Sequence, residues 1–191
     1  MAKSNMYRII GITGAFGSGK SSASDFLEKK GLKKIILSSF LEDEARKRGM
    51  KRVTRKILQD IGNEWREKYG KSILARKAIE LLEKENLHNA VIDGIRNLGE
   101  VEEFRKSSEF TLVAIVANRN TRFERLKSLK RREKLTWGLF EKLDKKDLGI
   151  KEKQTGLQVA LCMASADIFI DSNGKMEEFR NKINTLLTNE I

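Results

Sequence analysis

Tyr7 to Thr13 is an apolar run that stops at Gly14, and Ser21 to Lys30 follows with Ala23, Phe26 and Leu27 at helical spacing. This pattern predicts strand, loop, helix. Further short apolar runs stand at Lys34 to Leu37, Ala90 to Asp93, Leu112 to Ala117 and Asp167 to Asp171, separated by long charged segments of helical pattern. Strands that alternate with helices, and that read as near-continuous Ile, Val and Leu, imply a parallel sheet covered on both faces. The expected fold class is three-layer α/β. No Pro/Ser-rich linker or internal repeat interrupts residues 1–191, so a single domain is expected. The basic stretch Leu129 to Leu135 reads as an insertion between helices.

Between the first strand and first helix, Gly14-Ala15-Phe16-Gly17-Ser18-Gly19-Lys20-Ser21 satisfies G-x-x-x-x-G-K-[ST]. Its glycines let backbone N–H groups turn toward phosphate oxygens, and the helix that follows adds its N-terminal donors. The motif therefore predicts ATP held by Gly14, Ala15, Phe16, Gly17, Ser18, Gly19, Lys20, Ser21 and Ser22, with Lys20 at the β- and γ-phosphates and the Ser21 hydroxyl on Mg2+. Asp93 ends the third apolar run, on the strand edge where ligands bind in open α/β sheets. It is the second candidate for Mg2+ and for organising the acceptor, against the alternative of capping the turn into Gly94. Asn-Lys-x-Asp is absent, the nearest approach being Asn181-Lys182-Ile183-Asn184, which disfavours a signalling GTPase.

Lys plus Arg number 39 against 27 Asp plus Glu, a net charge of +12, which draws polyanions. Phosphorylated small molecules and nucleic acids both qualify, but no aromatic-interleaved RNA motif supports the second. The chain has one cysteine, Cys162, in the apolar run Val159 to Ala164, and one histidine, His88, read as a surface loop residue. This excludes an intramolecular disulfide and a Cys/His zinc site. With no signal-like or membrane-length apolar stretch, a cytoplasmic protein is expected.

Together the motifs resemble those of the P-loop nucleotide kinases, a group that includes nucleoside monophosphate kinases, deoxynucleoside monophosphate kinases and dephospho-coenzyme A kinases. The pieces that carry the resemblance are the phosphate loop, Leu58-Gln59-Asp60-Ile61-Gly62 with Arg66, Asp93-Gly94-Ile95-Arg96 followed by Glu100, Arg122-Phe123-Glu124-Arg125, and Ala166 to Ile170 running into Asn173-Gly174. The pattern is similar to that of small archaeal kinases related to dephospho-coenzyme A kinase and of archaeal adenylate-kinase-like proteins. The resemblance implies strand order 2-3-1-4-5, a helical acceptor-binding region at about 38–75 and an arginine-bearing lid at about 126–150.

It also implies residue roles. Asp93 and Arg96 resemble the Asp-Gly-Phe-Pro-Arg segment of adenylate kinases, one residue shorter, whose arginine holds the acceptor phosphate. Arg66 resembles the acceptor-side arginine of the Leu-Gln-x-x-Gly segment, against the alternative of a solvated arginine on an amphipathic helix. Arg122, Arg125 and Arg131, the last beside Arg132, are implied as arginines that meet the transferring phosphates, against a solvated basic run. Asn173-Gly174 resembles the base-contacting turn, or is a plain strand-to-helix turn. Relatives often carry an aspartate after the second strand, where this chain has Ser38-Ser39-Phe40, so Ser39 is the expected acceptor contact there. They also carry acidic lid residues where this chain has Arg132-Glu133-Lys134-Leu135.

The reaction so implied is ATP- and Mg2+-dependent phosphorylation of a (deoxy)nucleoside monophosphate. Dephospho-coenzyme A kinase-like activity is one alternative. An adenylate-kinase-like ATPase associated with RNA or ribosome assembly is another.

Overall fold

Ile9 of β1 (Tyr7–Thr13) faces one side of the sheet and Ile10 and Ile12 face the other, all buried, as the two-residue period of a central strand requires. A computed structural model of the chain describes residues 7–129 and 135–188. Along the chain follow α1 (Lys20–Lys29), β2 (Lys33–Ile36), α2 (Leu37–Lys47), α3 (Arg55–Tyr69), α4 (Ile73–Lys84), β3 (Asn89–Asp93) and α5 (Leu98–Ser107). The second half holds β4 (Ser108–Val116), α6 (Arg119–Ser128), α7 (Trp137–Leu148), α8 (Val159–Ala164), β5 (Ile168–Asp171) and α9 (Met176–Thr188).

The strands form one parallel sheet in the order β2-β3-β1-β4-β5. Against one face pack residues of α2 to α5, among them Leu41, Trp65, Leu82 and Phe104; against the other, Ala23 and Leu27 of α1 join Phe179 and Ile183 of α9. Each fully buried Ile, Leu or Phe adds about 1.5–3 kcal/mol, so these two apolar layers hold the sheet between them. A smaller cluster of Leu126, Leu135 and Phe140 fastens α7 against α6 and reaches Phe16 of the phosphate loop.

The strands lie where the apolar runs predict, every end but the start of β4 within one residue. β4 begins at Ser108 rather than Leu112, because Ser108 to Thr111 pair with Tyr7 to Ile10 although Glu109 is exposed and the other three are only partly buried. β2 stops at Ile36, since Leu37 already opens α2. Cys162 is buried and His88 is exposed, stacking on Tyr7 with ring centroids 6.4 Å apart. No described helix is long and apolar enough to cross a membrane.

Candidate active site

All five strand carboxyl ends open onto the same edge, and the phosphate loop leaves β1 there to enter α1. Gly17 and Gly19 sit at φ +83° and +101°, the left-handed region where a side chain is strained. A Cβ on Gly17 would also stand 2.9 Å from the Arg122 carbonyl oxygen, so the loop is pressed against α6. Lys20 Nζ folds back and donates to the Gly14 and Ala15 carbonyls at 2.8 and 3.0 Å. Burial pushes its ammonium down to about 8, with Arg96 and Arg55 acting the same way and Asp147 and Asp93 opposing them.

Two cavities flank this loop. One, of about 570 Å³, runs along Gly17, Gly19 to Ser22, Arg125, Ser172 and Gly174. The other, of about 450 Å³, lies under α2 and α3, with apolar walls from Leu37, Leu41, Val53 and Leu58 and polar atoms from Ser38, Gln59 and Asp93. Lys20, Ser21, Arg55 and Arg96 line both. A group passing from one cavity to the other would pass those four side chains.

Asp93 ends β3 in register with Ile12 of β1 and Ile36 of β2. Its Oδ2 accepts from Ser24 Oγ at 2.9 Å, and the same hydroxyl lies 3.0 Å from the Ser21 carbonyl. The Asp93 carboxylate is therefore pinned beside the start of α1. The described residues contain no group of three or more His, Cys, Asp or Glu able to hold a metal. Mg2+ fits here only as a hard cation that takes one hydroxyl and one carboxylate and completes its shell with phosphate oxygens and water. Ser21 and Asp93 would supply that pair, and the glycine cradle suits a polyphosphate.

A family model described as "AAA domain" matches residues 10–149. A UPF0200 protein of Sulfurisphaera tokodaii is 35% identical over 96% of this chain and 97% of its own. The chain belongs to the UPF0200 family, built on an AAA domain. Among solved structures, TT1252 from Thermus thermophilus superposes with a TM-score of 0.61 at 18% identity, covering 97% of this chain and 99% of that one. A shikimate kinase from Bacteroides thetaiotaomicron gives 0.59 at 15%, covering 95% and 99%. The fold of this UPF0200 protein is that of the P-loop kinases.

Within it, the arginines implied by the resemblance are sorted by their partners. Arg66 is buried and donates to Glu100 Oε1 at 2.9 Å, which leaves its guanidinium on the wall of the 450 Å³ cavity already paired. The second Glu100 oxygen accepts from the backbone N–H groups of Arg96 and Asn97, at 2.9 and 3.1 Å, in a capping box at the start of α5. Arg122 forks onto both oxygens of Asp144 and donates to the Phe16 and Ala117 carbonyls at 3.0 and 3.2 Å. It lines neither cavity, because four acceptors hold it inside the α6–α7 seam. Arg125 lines the larger cavity and is steadied by Ser172. Arg131 and Arg132 lie outside the described residues.

Ser39 turns its hydroxyl back to the Ile36 carbonyl at 2.8 Å, and its neighbour Ser38 faces the smaller cavity instead. The Asn173 side chain is taken up by protein groups, accepting from Asn118 N before α6 at 2.9 Å and donating to Asp171, while Gly174 lines the larger cavity. Residues that local motifs do not mark join the site through the fold. Ser172 Oγ donates to the Ser18 carbonyl at 2.7 Å, Arg55 lies 4.3 Å over the Phe16 ring, and Asp147 pairs with Arg55. A lone polar residue before an apolar helix pattern, or an aspartate inside one, carries no such signal until its partner is seen.

Proposed function

We propose that this UPF0200 protein transfers the terminal phosphoryl group of ATP, with Mg2+, to a (deoxy)nucleoside monophosphate. The carrying observation is that Lys20, Ser21, Arg55 and Arg96 line both cavities, so a donor in one and an acceptor in the other would meet at one cationic junction. In this reading residues 1–191 form one catalytic domain, residues 38–75 hold the acceptor and 126–150 act as a lid.

Phosphoryl transfer needs positioning and neutralisation of charge more than covalent chemistry. Mg2+ held by Ser21 and Asp93 supplies part of that neutralisation when bound. Lys20 supplies a further positive charge at the group in flight, and Arg125 another from the donor side. Arg96, set by Glu100 at its own N–H, holds the acceptor phosphate together with Arg55. Closure of the 126–150 region over bound substrates would keep water, the competing acceptor, out during transfer.

A second reading is a kinase of the dephospho-coenzyme A type, whose acceptor attacks through a hydroxyl. Two observations favour it: Glu100 neutralises Arg66, and the Asp93 carboxylate lines the acceptor-side cavity, where it could take a hydroxyl proton. ADP formation measured over a panel of nucleoside monophosphates, dephospho-coenzyme A and no acceptor, with and without RNA, decides between them. A monophosphate among the best acceptors supports the leading reading. Turnover with dephospho-coenzyme A alone transfers the assignment to the second, and ATP hydrolysis that RNA stimulates refutes both. Arg96→Ala should raise the monophosphate KM at least about tenfold and leave ATP KM nearly constant, the loss of one charged hydrogen bond.

A further inference from the structure

α7 presents Phe140, Asp144 and Asp147 on one buried face, four and three residues apart, so two carboxylates point inward from one helix. They are not equivalent. Asp144 meets Arg122, whose side chain is 6% exposed, and stands 3.8 Å from the exposed Arg119, and neither arginine lines a cavity. Asp147 is itself sealed at 1%, but its partners Arg55 and Arg96 are 33% and 31% exposed and line both cavities. Its Oδ1 accepts from Arg55 Nη2 and stands 3.8 Å from Arg96 Nη1.

Carboxylate and phosphate are the two anions that a guanidinium fork recognises alike. A phosphate entering the smaller cavity can reach these two arginines from the open side, whereas Asp147 reaches them from the helix. We propose that Asp147 is an internal stand-in for the acceptor's phosphate, holding Arg55 and Arg96 with α7 docked until a phosphate monoester displaces it and releases the helix. This rests on reading the 450 Å³ cavity as the acceptor's. A tethered carboxylate acts at an effective concentration in the millimolar range, so an incoming phosphate must outcompete it, and a weakly held anion would not. The device therefore selects for a phosphorylated acceptor.

The probe is inorganic phosphate, titrated calorimetrically at low salt. Asp147→Asn should tighten its binding at least about tenfold, and adding Arg96→Ala should remove the gain. Asp144→Asn, which loosens the same helix without freeing a cavity cation, should stay within about threefold of wild type. Equal or weaker binding by Asp147→Asn, a gain that survives Arg96→Ala, or an equal gain in Asp144→Asn each overturns the proposal. Should Asp147→Asn not fold, hydrogen exchange of the wild-type protein decides: phosphate should speed exchange of the amides of residues 139–148, and unchanged or slowed exchange refutes displacement. None of these readouts needs catalysis. A protein that transfers no phosphoryl group yet shows them would refute the proposed function alone.

Discussion

Arg66 and Glu100 form a buried ion pair across 34 residues of sequence, Nη2 to Oε1 at 2.9 Å, with side chains 4% and 0% exposed. Because the other Glu100 oxygen anchors the Arg96 and Asn97 N–H groups, the pair also sets the turn that carries Arg96. Removing one partner strands a buried charge, so Arg66→Ala should cost about 3–5 kcal/mol in urea unfolding. A loss below about 1 kcal/mol, combined with a raised acceptor KM, would mean that Arg66 serves the acceptor rather than the fold.

Lys20 leads to a pH prediction. Its folded-state value near 8 lies below the ordinary 10.5, so between those two values the unfolded chain binds more protons and stability rises with pH. Bound phosphates restore the ammonium, and ATP binding above pH 8 should therefore take up a proton and weaken as pH rises further. Calorimetry in buffers of different ionisation enthalpy measures this uptake. Its absence at pH 8.5–9 would remove Lys20 from the nucleotide contact. Lys20→Ala should keep the fold and lower transfer at least about a hundredfold, roughly 3 kcal/mol of lost charge stabilisation.

Ser24 offers a test of the metal assignment. Its hydroxyl orients Asp93 at 2.9 Å, and partners of this kind commonly alter metal affinity by about 10–100-fold. Ser24→Ala should raise the Mg2+ requirement at least about tenfold in a titration of turnover, and Asp93→Asn should raise it more. Insensitivity of both variants would leave Asp93 as the cap of its turn.

Arg122 and Arg125, three residues apart on α6, should separate cleanly. Arg122→Ala is expected to destabilise by about 3–5 kcal/mol, since Asp144 then stays buried without its fork. Arg125→Ala should lower kcat about tenfold or more with a smaller stability loss, because it faces the larger cavity and rests on Ser172. Thermal unfolding and steady-state kinetics on the two variants check the division; equal kinetic defects at unchanged stability would refute it.

The hydrophobic pattern placed the parallel strands, and the spacing Gly14 to Ser21 placed the phosphate loop, because both are local: periodicity records burial, and a loop that wraps phosphate needs its glycines and lysine adjacent in sequence. The strand order implied by the resemblance matches the sheet. What local pattern could not assign was the state of each arginine. Arg66, Arg122 and Arg55 meet Glu100, Asp144 and Asp147 across 34, 22 and 92 residues. A basic residue on a helix reads the same whether it meets solvent, a carboxylate or a ligand phosphate. Composition and periodicity therefore determined the sheet and the loop; only the tertiary structure, by bringing distant charges within hydrogen-bonding range and excluding water from some pairs, decided which cations remain at the cavities.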